Sequence, residues 1–410
     1  MPEKANRPSP WISIWVEPRR TIERILAAPP RQSVVLLLAA LGAIAALFQN
    51  FFHFRFAAQL FRWPVLLGLA VLGAAFGIVG LYGSALLFKA VGRLMGGRAS
   101  AVELRTLFAW SALPSILGLA VVLAAVIALS FSGNLSAPGW VSLLLQAVVI
   151  LCGFWSIAVL LLMLSRVEGF GFWRTIFIYI LSVLLIVLFT MLFRSFLFHP
   201  FSIPSRAMAP TLLEGDQFFL SKYPYGYTRY SLPFSLPVFS GRIFGSEPAR
   251  GDVVVFRLPK DDSTDYVKRV VGLPGERIQM KQGLLTINEV PVTRGRLPDF
   301  AGDDPCGTGI GVKVKRWRET LPNGVSHETL DCVDSGFFDN TNVYTVPAGH
   351  FFVLGDNRDN STDSRAISAV GYVPFENIVG RAGMIFFSST PGQGAAAPVI
   401  RSERIGMMVR

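Results

Sequence analysis

Cysteine is scarce in this chain, with three residues in 410. A disulfide-dense scaffold is therefore excluded. Histidine is nearly as scarce, and none of the four sits at a recognisable metal-site spacing, which argues against a zinc centre. Charge is thin as well, at 16% of residues, and acids are the rarer sign, 27 against 38 Lys and Arg. The acids are concentrated in the second half of the chain. A net charge of +11 raises nucleic acid as a partner. No ordered basic-aromatic patch or binding motif supports it, so nucleic acid is set aside.

Apolar residues are what the chain has in excess, at 52%. Five runs, over 33–52, 63–91, 107–131, 140–165 and 175–198, lie near or above the ~20 residues needed to cross hydrocarbon. They are too long and too poor in charge for core helices. The first begins after a segment holding Trp11, Trp15 and several Arg and Pro, too late for a cleavable signal peptide. Lys4, Arg7, Arg19, Arg20, Arg24 and Arg31 precede the first run. Lys89, Arg93, Arg98 and Arg105 fall between the second and third, and Arg166 and Arg174 between the fourth and fifth. The connection 132–139 carries no charge; Arg55 and Arg62, between the first and second runs, are the only dissent. Positive charge marks cytoplasmic loops, so the N-terminus is expected in the cytoplasm and everything after residue 198 outside it. Cys152, inside an apolar run, reads as a buried small hydrophobe. Cys306 and Cys332 fall in the outer half, where pairing is chemically permitted. Whether they pair stays open, because spacing in sequence does not give the distance between Cα atoms.

From residue 201 the texture changes. Short β-branched runs at 252–257, 266–271, 284–287, 344–346 and 350–354 are bounded by Gly, Pro, Asn and Asp, the pattern of strands and turns. The expected architecture is a multi-pass α-helical membrane domain of about five transmembrane helices followed by a mainly β domain.

Three stretches in the second half carry chemistry: SIPSRAMAPTLLEGD at 202–216, DYVKRVVGLPGE at 265–276, and GDNRDNSTDSR at 355–365. Together they resemble the type I signal peptidases, membrane-bound serine proteases that cut secretory signal peptides. The resemblance covers nearly all of 198–388. It implies a mainly β signal-peptidase-type domain over 200–390, a serine–lysine dyad, no cofactor and no metal. No histidine belongs to any of the three stretches, so a His-based triad is not expected. Lys268 maps to the general base. A lysine at its ordinary pKa of ~10.4 cannot accept a proton at neutral pH, and burial among Val267, Val270 and Val271 is what would lower it. Strand alternation turns Arg269 to the other face, as a surface or packing cation. Ser361 would hold the lysine amine, Asp363 and Arg365 would form a structural ion pair, and Asp356 and Asn357 would shape the turn. Ser205 and the backbone N–H of residue 207 would form the oxyanion hole. Phe201, Met208, Leu212 and Val267 would line an apolar surface for an extended peptide with small residues at positions −1 and −3.

The nucleophile position departs from the family pattern: it is Ala207. Three readings stand open, namely a removed nucleophile, a protein that binds signal peptides without cutting them, and attack by Ser205 instead. Two residues along an extended backbone place Ser205 about 6–7 Å away at ~3.3 Å per residue, which disfavours the last.

The leader PWISIWVEPRRTIERIL at 10–26 and the four runs after it are similar to the Yip1-type membrane domain of bacteria. That divides the chain into a Yip1-like domain over 1–170, a fifth membrane helix over 171–199, the peptidase-type domain, and a tail over 391–410. The first four spans lack the paired intramembrane charges of a transporter and read as an anchor or a module for membrane-protein partners. The resemblance implies a bacterial inner-membrane protein whose partners are the lipid bilayer and the signal peptides of secretory preproteins. The apolar stretch 195–204 (SFLFHPFSIP) would keep the site at the bilayer surface.

Overall fold

The computed structural model describes residues 9–52, 63–131, 139–302, 304–307, 313–390 and 399–410. The chain divides into two compact units, Met1–Leu188 and Phe189–Arg410. Arg55 and Arg62, and most of the uncharged connection at 132–139, lie outside the described residues.

The first unit is helical: α1 Pro10–Ser13, α2 Pro18–Ala27, α3 Gln32–Phe52, α4 Trp63–Leu94, α5 Ala101–Ser111, α6 Leu113–Phe131 and α7 Gly139–Glu168, followed by α8 Phe172–Phe196. Pro10 and Pro18 open α1 and α2, where a missing N–H leaves no intrahelical acceptor unpaired. Helix α2 buries Ile22 and Ile25, and its Thr21 hydroxyl donates to Ser13 Oγ at 2.8 Å. Among the described residues four stretches are long and apolar enough to cross a membrane: Ala70–Leu94, Ala101–Ala125, Trp140–Glu168 and Phe172–Phe196. The first expected run forms α3, which is 21 residues long.

The third run was expected as one helix, but α5 and α6 are separated at Ala112. Pro114 accounts for the break, because it lacks an N–H and its ring crowds the carbonyl of Trp110 four residues earlier. Ser100 and Glu103 cap α5 reciprocally. Helices α6 and α7 are joined by the Ser115 and Ser156 hydroxyls at 2.9 Å. At the end of α7, Glu168 accepts from the Ala99 amide at 3.3 Å. A Cβ on Gly92 or Gly97 would sit 2.5 or 2.1 Å from its carboxylate oxygens, so glycine is what admits that side chain. Cys152, expected as a buried small hydrophobe, is half-buried, with its Cβ 3.1 Å from where a Gly118 side chain would begin.

The second unit is built on strands β1 Phe198–Ser202, β2 Asp216–Ser221, β3 Val253–Arg257, β4 Asp265–Gly272, β5 Arg277–Lys281, β6 Leu284–Ile287, β7 Val290–Pro291, β8 Thr293–Phe300, β9 Val314–Thr320, β10 Ser326–Asp331, β11 Tyr344–Thr345, β12 His350–Leu354, β13 Val373–Pro374 and β14 Ile378–Ser388. A seven-stranded sheet runs in the order β1-β2-β14-β3-β4-β12-β13, beside a three-stranded sheet β10-β9-β8 and a four-stranded sheet β11-β5-β6-β7. The central strands β3, β4 and β12 are buried over most of their length, which fits their runs of Val and Phe. The three-stranded sheet was not expected. Its strands read TRGRLPDF, VKRWRET and SHETLD, a charged texture that hides the alternation. Arg294 and Arg296 lie over the Trp317 ring at 4.1 and 5.3 Å, covering it from water.

Cys306 and Cys332 are disulfide-bonded, with Cα atoms 5.9 Å apart. Residues 399–410, expected as part of a tail, pack on the seven-stranded sheet: Arg404 pairs with the fully buried Asp216, and Val409 is buried.

Candidate active site

The site lies where three segments distant in sequence meet, and the sheet register explains the meeting. Strands β4 and β12 are antiparallel neighbours with Arg269 opposite Leu354. Lys268 is the adjacent residue on β4, and residues 355–365 continue from β12 just beyond it. The segment 203–212, between β1 and β2, is held against that loop from the other side. The Asn357 amide donates to the Ala207 carbonyl at 3.1 Å, and Asn357 Nδ2 donates to the Arg206 carbonyl at 3.2 Å.

A single cleft of about 570 Å³ is lined by Ser205, Ala207, Lys268 and Ser361, together with Phe201, Met208 and Val267. Of the expected site residues, Leu212 does not line it. Leu212 is fully buried and packs with Ile203, Met208 and Phe218 in the core beneath. Its place in the first stretch is structural: the Leu212 amide closes a turn on the Met208 carbonyl at 2.9 Å, and the side chain packs into that core. The cleft is also lined by Ile203, Tyr266 and Phe338. Phe338 comes from a turn far from any of the three stretches, and nothing in its local sequence marks it.

Lys268 is buried. Burial pulls its amine down to about 8, while the Asp363 and Asp356 carboxylates oppose that shift. Its Nζ donates to the Val267 carbonyl at 3.0 Å. The expected bond from Ser361 to this amine is not made: Ser361 Oγ is buried and has no hydrogen-bond partner among the described residues. Asp363 and Arg365 form a buried fork, Arg365 Nε to Oδ1 at 2.9 Å and Nη2 to Oδ2 at 2.8 Å. Burial pushes the Asp363 carboxyl up, but the Arg365 guanidinium and its hydrogen bonds hold it below the ordinary range.

Arg269 is not at the surface. It is fully buried and forks onto Asp356, Nε to Oδ1 at 2.8 Å and Nη2 to Oδ2 at 2.6 Å. Asp356 also accepts from the Thr211 hydroxyl at 2.6 Å. Asp356 thus does more than shape a turn, since one carboxylate ties together all three stretches: Thr211 of the first, Arg269 of the second and its own loop. Sequence reasoning missed this because alternation places Arg269 on the face away from Lys268 without saying what covers that face. Arg358, in the same loop, donates to Glu319 of β9 at 2.9 Å, both side chains buried. The Pro305 carbonyl, next to the disulfide, accepts from Asn357 Nδ2 at 2.8 Å and Asn360 Nδ2 at 2.9 Å.

Gly355 sets how closely the loop approaches. A Cβ there would sit 2.2 Å from Ser361 Oγ and 2.6 Å from the Ala207 carbonyl oxygen. Gly355→Ala is expected to cost about 1–3 kcal/mol by overpacking, read as a lower melting temperature of the full chain. An unchanged melting temperature would show that the loop is free to give way.

Residues 176–387 match the family model described as signal peptidase, peptidase S26, and residues 12–193 match the Yip1 domain. Helix α8 falls largely in both. The signal peptidase I of Rickettsia typhi is 41% identical over 212 residues, 50% of this chain and 77% of that protein. That of Rickettsia prowazekii is 40% identical with the same coverage. A solved signal peptidase I from Enterococcus faecalis V583 is 26% identical, covering 33% of this chain and 97% of that one with a TM-score of 0.20. With half the chain under one family model, and with three-quarters of a curated relative matched at this identity, the chain belongs to the signal peptidase I family, peptidase S26.

Proposed function

We propose that the cleft takes the end of a secretory signal peptide with small residues at positions −1 and −3, and that it is a serine–lysine endopeptidase site lacking only its attacking hydroxyl. The observation that carries this is Lys268, a buried amine lowered to about 8, in the same cleft as Ala207 and Ser205. A lysine amine buried in a cleft, with no carboxylate within ion-pairing distance among the described residues, suits proton transfer better than structure.

With serine at 207, the chemistry would run as follows. Lys268 Nζ takes the hydroxyl proton while Oγ attacks the scissile carbonyl carbon. The oxyanion is met by the residue 207 amide, which makes no hydrogen bond among the described residues, and by the exposed Ser205 hydroxyl. The tetrahedral intermediate collapses, and the leaving amine takes the proton from Lys268. Water activated by the same amine then hydrolyses the acyl-enzyme. Asp363, held by Arg365, keeps a negative charge near the lysine. Ser361 Oγ, unpartnered here, is available to accept from the lysine amine once a hydroxyl at 207 draws it forward.

We place the protein in a bacterial inner membrane with its N-terminus cytoplasmic and the cleft on the outer side, on the distribution of Lys and Arg. The domain limits proposed are 1–170, 171–199 and 200–390, with residues 399–410 belonging to the last. A second reading rests on Ala207 itself: a receptor that holds signal peptides without cutting, partnered through its first helices. Both readings predict that this chain binds an intact preprotein. They separate with Ala207→Ser, which releases mature protein only if the site is a protease.

The pH profile tests the base. Lys268 works only when neutral, so kcat/KM of the Ala207→Ser chain should rise about tenfold per pH unit below about 8 and level off above it. A profile flat from pH 6 to 9 would remove Lys268 from that role.

A further inference from the structure

A second cavity, also of about 570 Å³, lies in the same unit beside the last turns of α8. Its walls include Arg194 and Ser195 of α8, His199 of β1, Lys222 after β2, and Phe234. Its charges do not cancel. Asp265 pairs with Arg257 at 3.2 Å and Asp262 with Arg229 at 3.2 Å. Arg194 and Lys222 have no acid within ion-pair distance among the described residues. Lys222 is buried and donates to the Ser231 carbonyl at 2.8 Å. Arg194 Nη2 lies 3.1 Å from His199 Nε2, so the ring accepts and is neutral. Burial first, then the charges of Lys222 and Arg194, hold His199 down at about 4. Asp265 also attracts Lys222, but the wall carries three cations, Arg194, Lys222 and Arg257, to two acids, Asp262 and Asp265. Cations in excess in a partly dry cavity repel one another, and an anion would relieve that repulsion.

The surroundings identify the anion's source. Helix α8 is apolar enough to cross a membrane, and the cavity opens at its end. Phe234 in its wall is 87% exposed, and Val238 and Phe244, in the same connection between β2 and β3, are 73% and 87% exposed. Large apolar side chains that far into solvent suit hydrocarbon. We propose that this cavity seats the phosphate of an anionic glycerophospholipid, with Arg194 and Lys222 as its cationic ligands and Phe234 against the acyl chains. The inference rests on α8 being a membrane span; it is independent of whether residue 207 can attack a peptide.

The test is lipid retention by the full chain in neutral detergent, read by native mass spectrometry with phosphatidylglycerol and phosphatidylcholine. Phosphatidylglycerol should be preferred. Arg194→Gln and Lys222→Gln should each weaken its retention about fivefold, and the pair about 25-fold. Arg194 is exposed, so its variant should fold normally and carries the test even if Lys222→Gln does not. Equal retention of the two lipids, or an Arg194→Gln chain that keeps phosphatidylglycerol as well as the parent, would overturn the assignment. Displacement of the lipid by inorganic phosphate or by a soluble acidic peptide as readily as by excess phosphatidylglycerol would also overturn it, pointing to a free-anion or peptide site.

Discussion

Ala207→Ser is expected to raise cleavage of a preprotein by roughly a millionfold, the scale on which removing a serine nucleophile acts in a serine protease. The size follows from what is already in place. Lys268, the proposed base, is buried and lines the same cleft as residue 207, the amide of residue 207 is unbonded among the described residues, and Ser205 is exposed. Adding one oxygen completes the group that these elements serve together, and groups acting as a unit are strongly non-additive. The measurement is release of mature protein from a preprotein with an Ala-x-Ala site, comparing this chain, Ala207→Ser, and Ala207→Ser with Lys268→Ala. Rapid cleavage by the unaltered chain would mean that another hydroxyl attacks. No cleavage by Ala207→Ser would make the receptor reading the right one.

The second large effect concerns stability. Asp356→Ala leaves Arg269 buried without a counter-charge and removes the acceptor of the Thr211 hydroxyl. Breaking a buried pair on one side costs about 3–5 kcal/mol. Because the carboxylate joins three segments, the opening should be local to the cleft and appear as faster amide exchange across 203–212 and 355–365 in the full chain. Replacing both partners by apolar residues of similar volume, Arg269→Met with Asp356→Leu, should recover much of the loss, since the penalty lies in the orphaned charge. Exchange unchanged in Asp356→Ala would show that the three segments are held by their backbone bonds alone, such as that from Asn357 to Ala207.

Much of this was legible in the sequence, for identifiable reasons. Long apolar runs have few alternatives to helices, and motif-bearing strands such as DYVKRVV show both their period and their chemistry. The break at Ala112 was legible in Pro114 but was outweighed by the hydropathy around it. The three-stranded sheet was not legible, because Arg and Glu side chains there cover Trp317 and pair across strands, so burial leaves no apolar alternation. The site shows the same division. Residues that line the cleft sit mostly in strings with a recognisable pattern. Those that act on one another, Arg269 with Asp356 and Arg358 with Glu319, are joined only by the fold. Leu212 illustrates the converse error: membership in a functional string does not place a side chain in the cleft.

Two adjacent cations on β4 are sorted entirely by the pleat, with Lys268 to the cleft and Arg269 into the ion pair behind it. The hydrogen-bond ladder with β3 and β12 is therefore also a selector of chemistry. A slip of one residue along that ladder would exchange the two side chains. A guanidinium, which does not give up its proton in proteins, would then face the cleft, and an ammonium unable to fork would face Asp356. The same hydrophobic strand would remain, with neither a titratable amine in the cleft nor a latch behind it. The chain's most exacting specification is thus one of parity, and the buried Val and Phe side chains of β3 and β12 on either side are what enforce it.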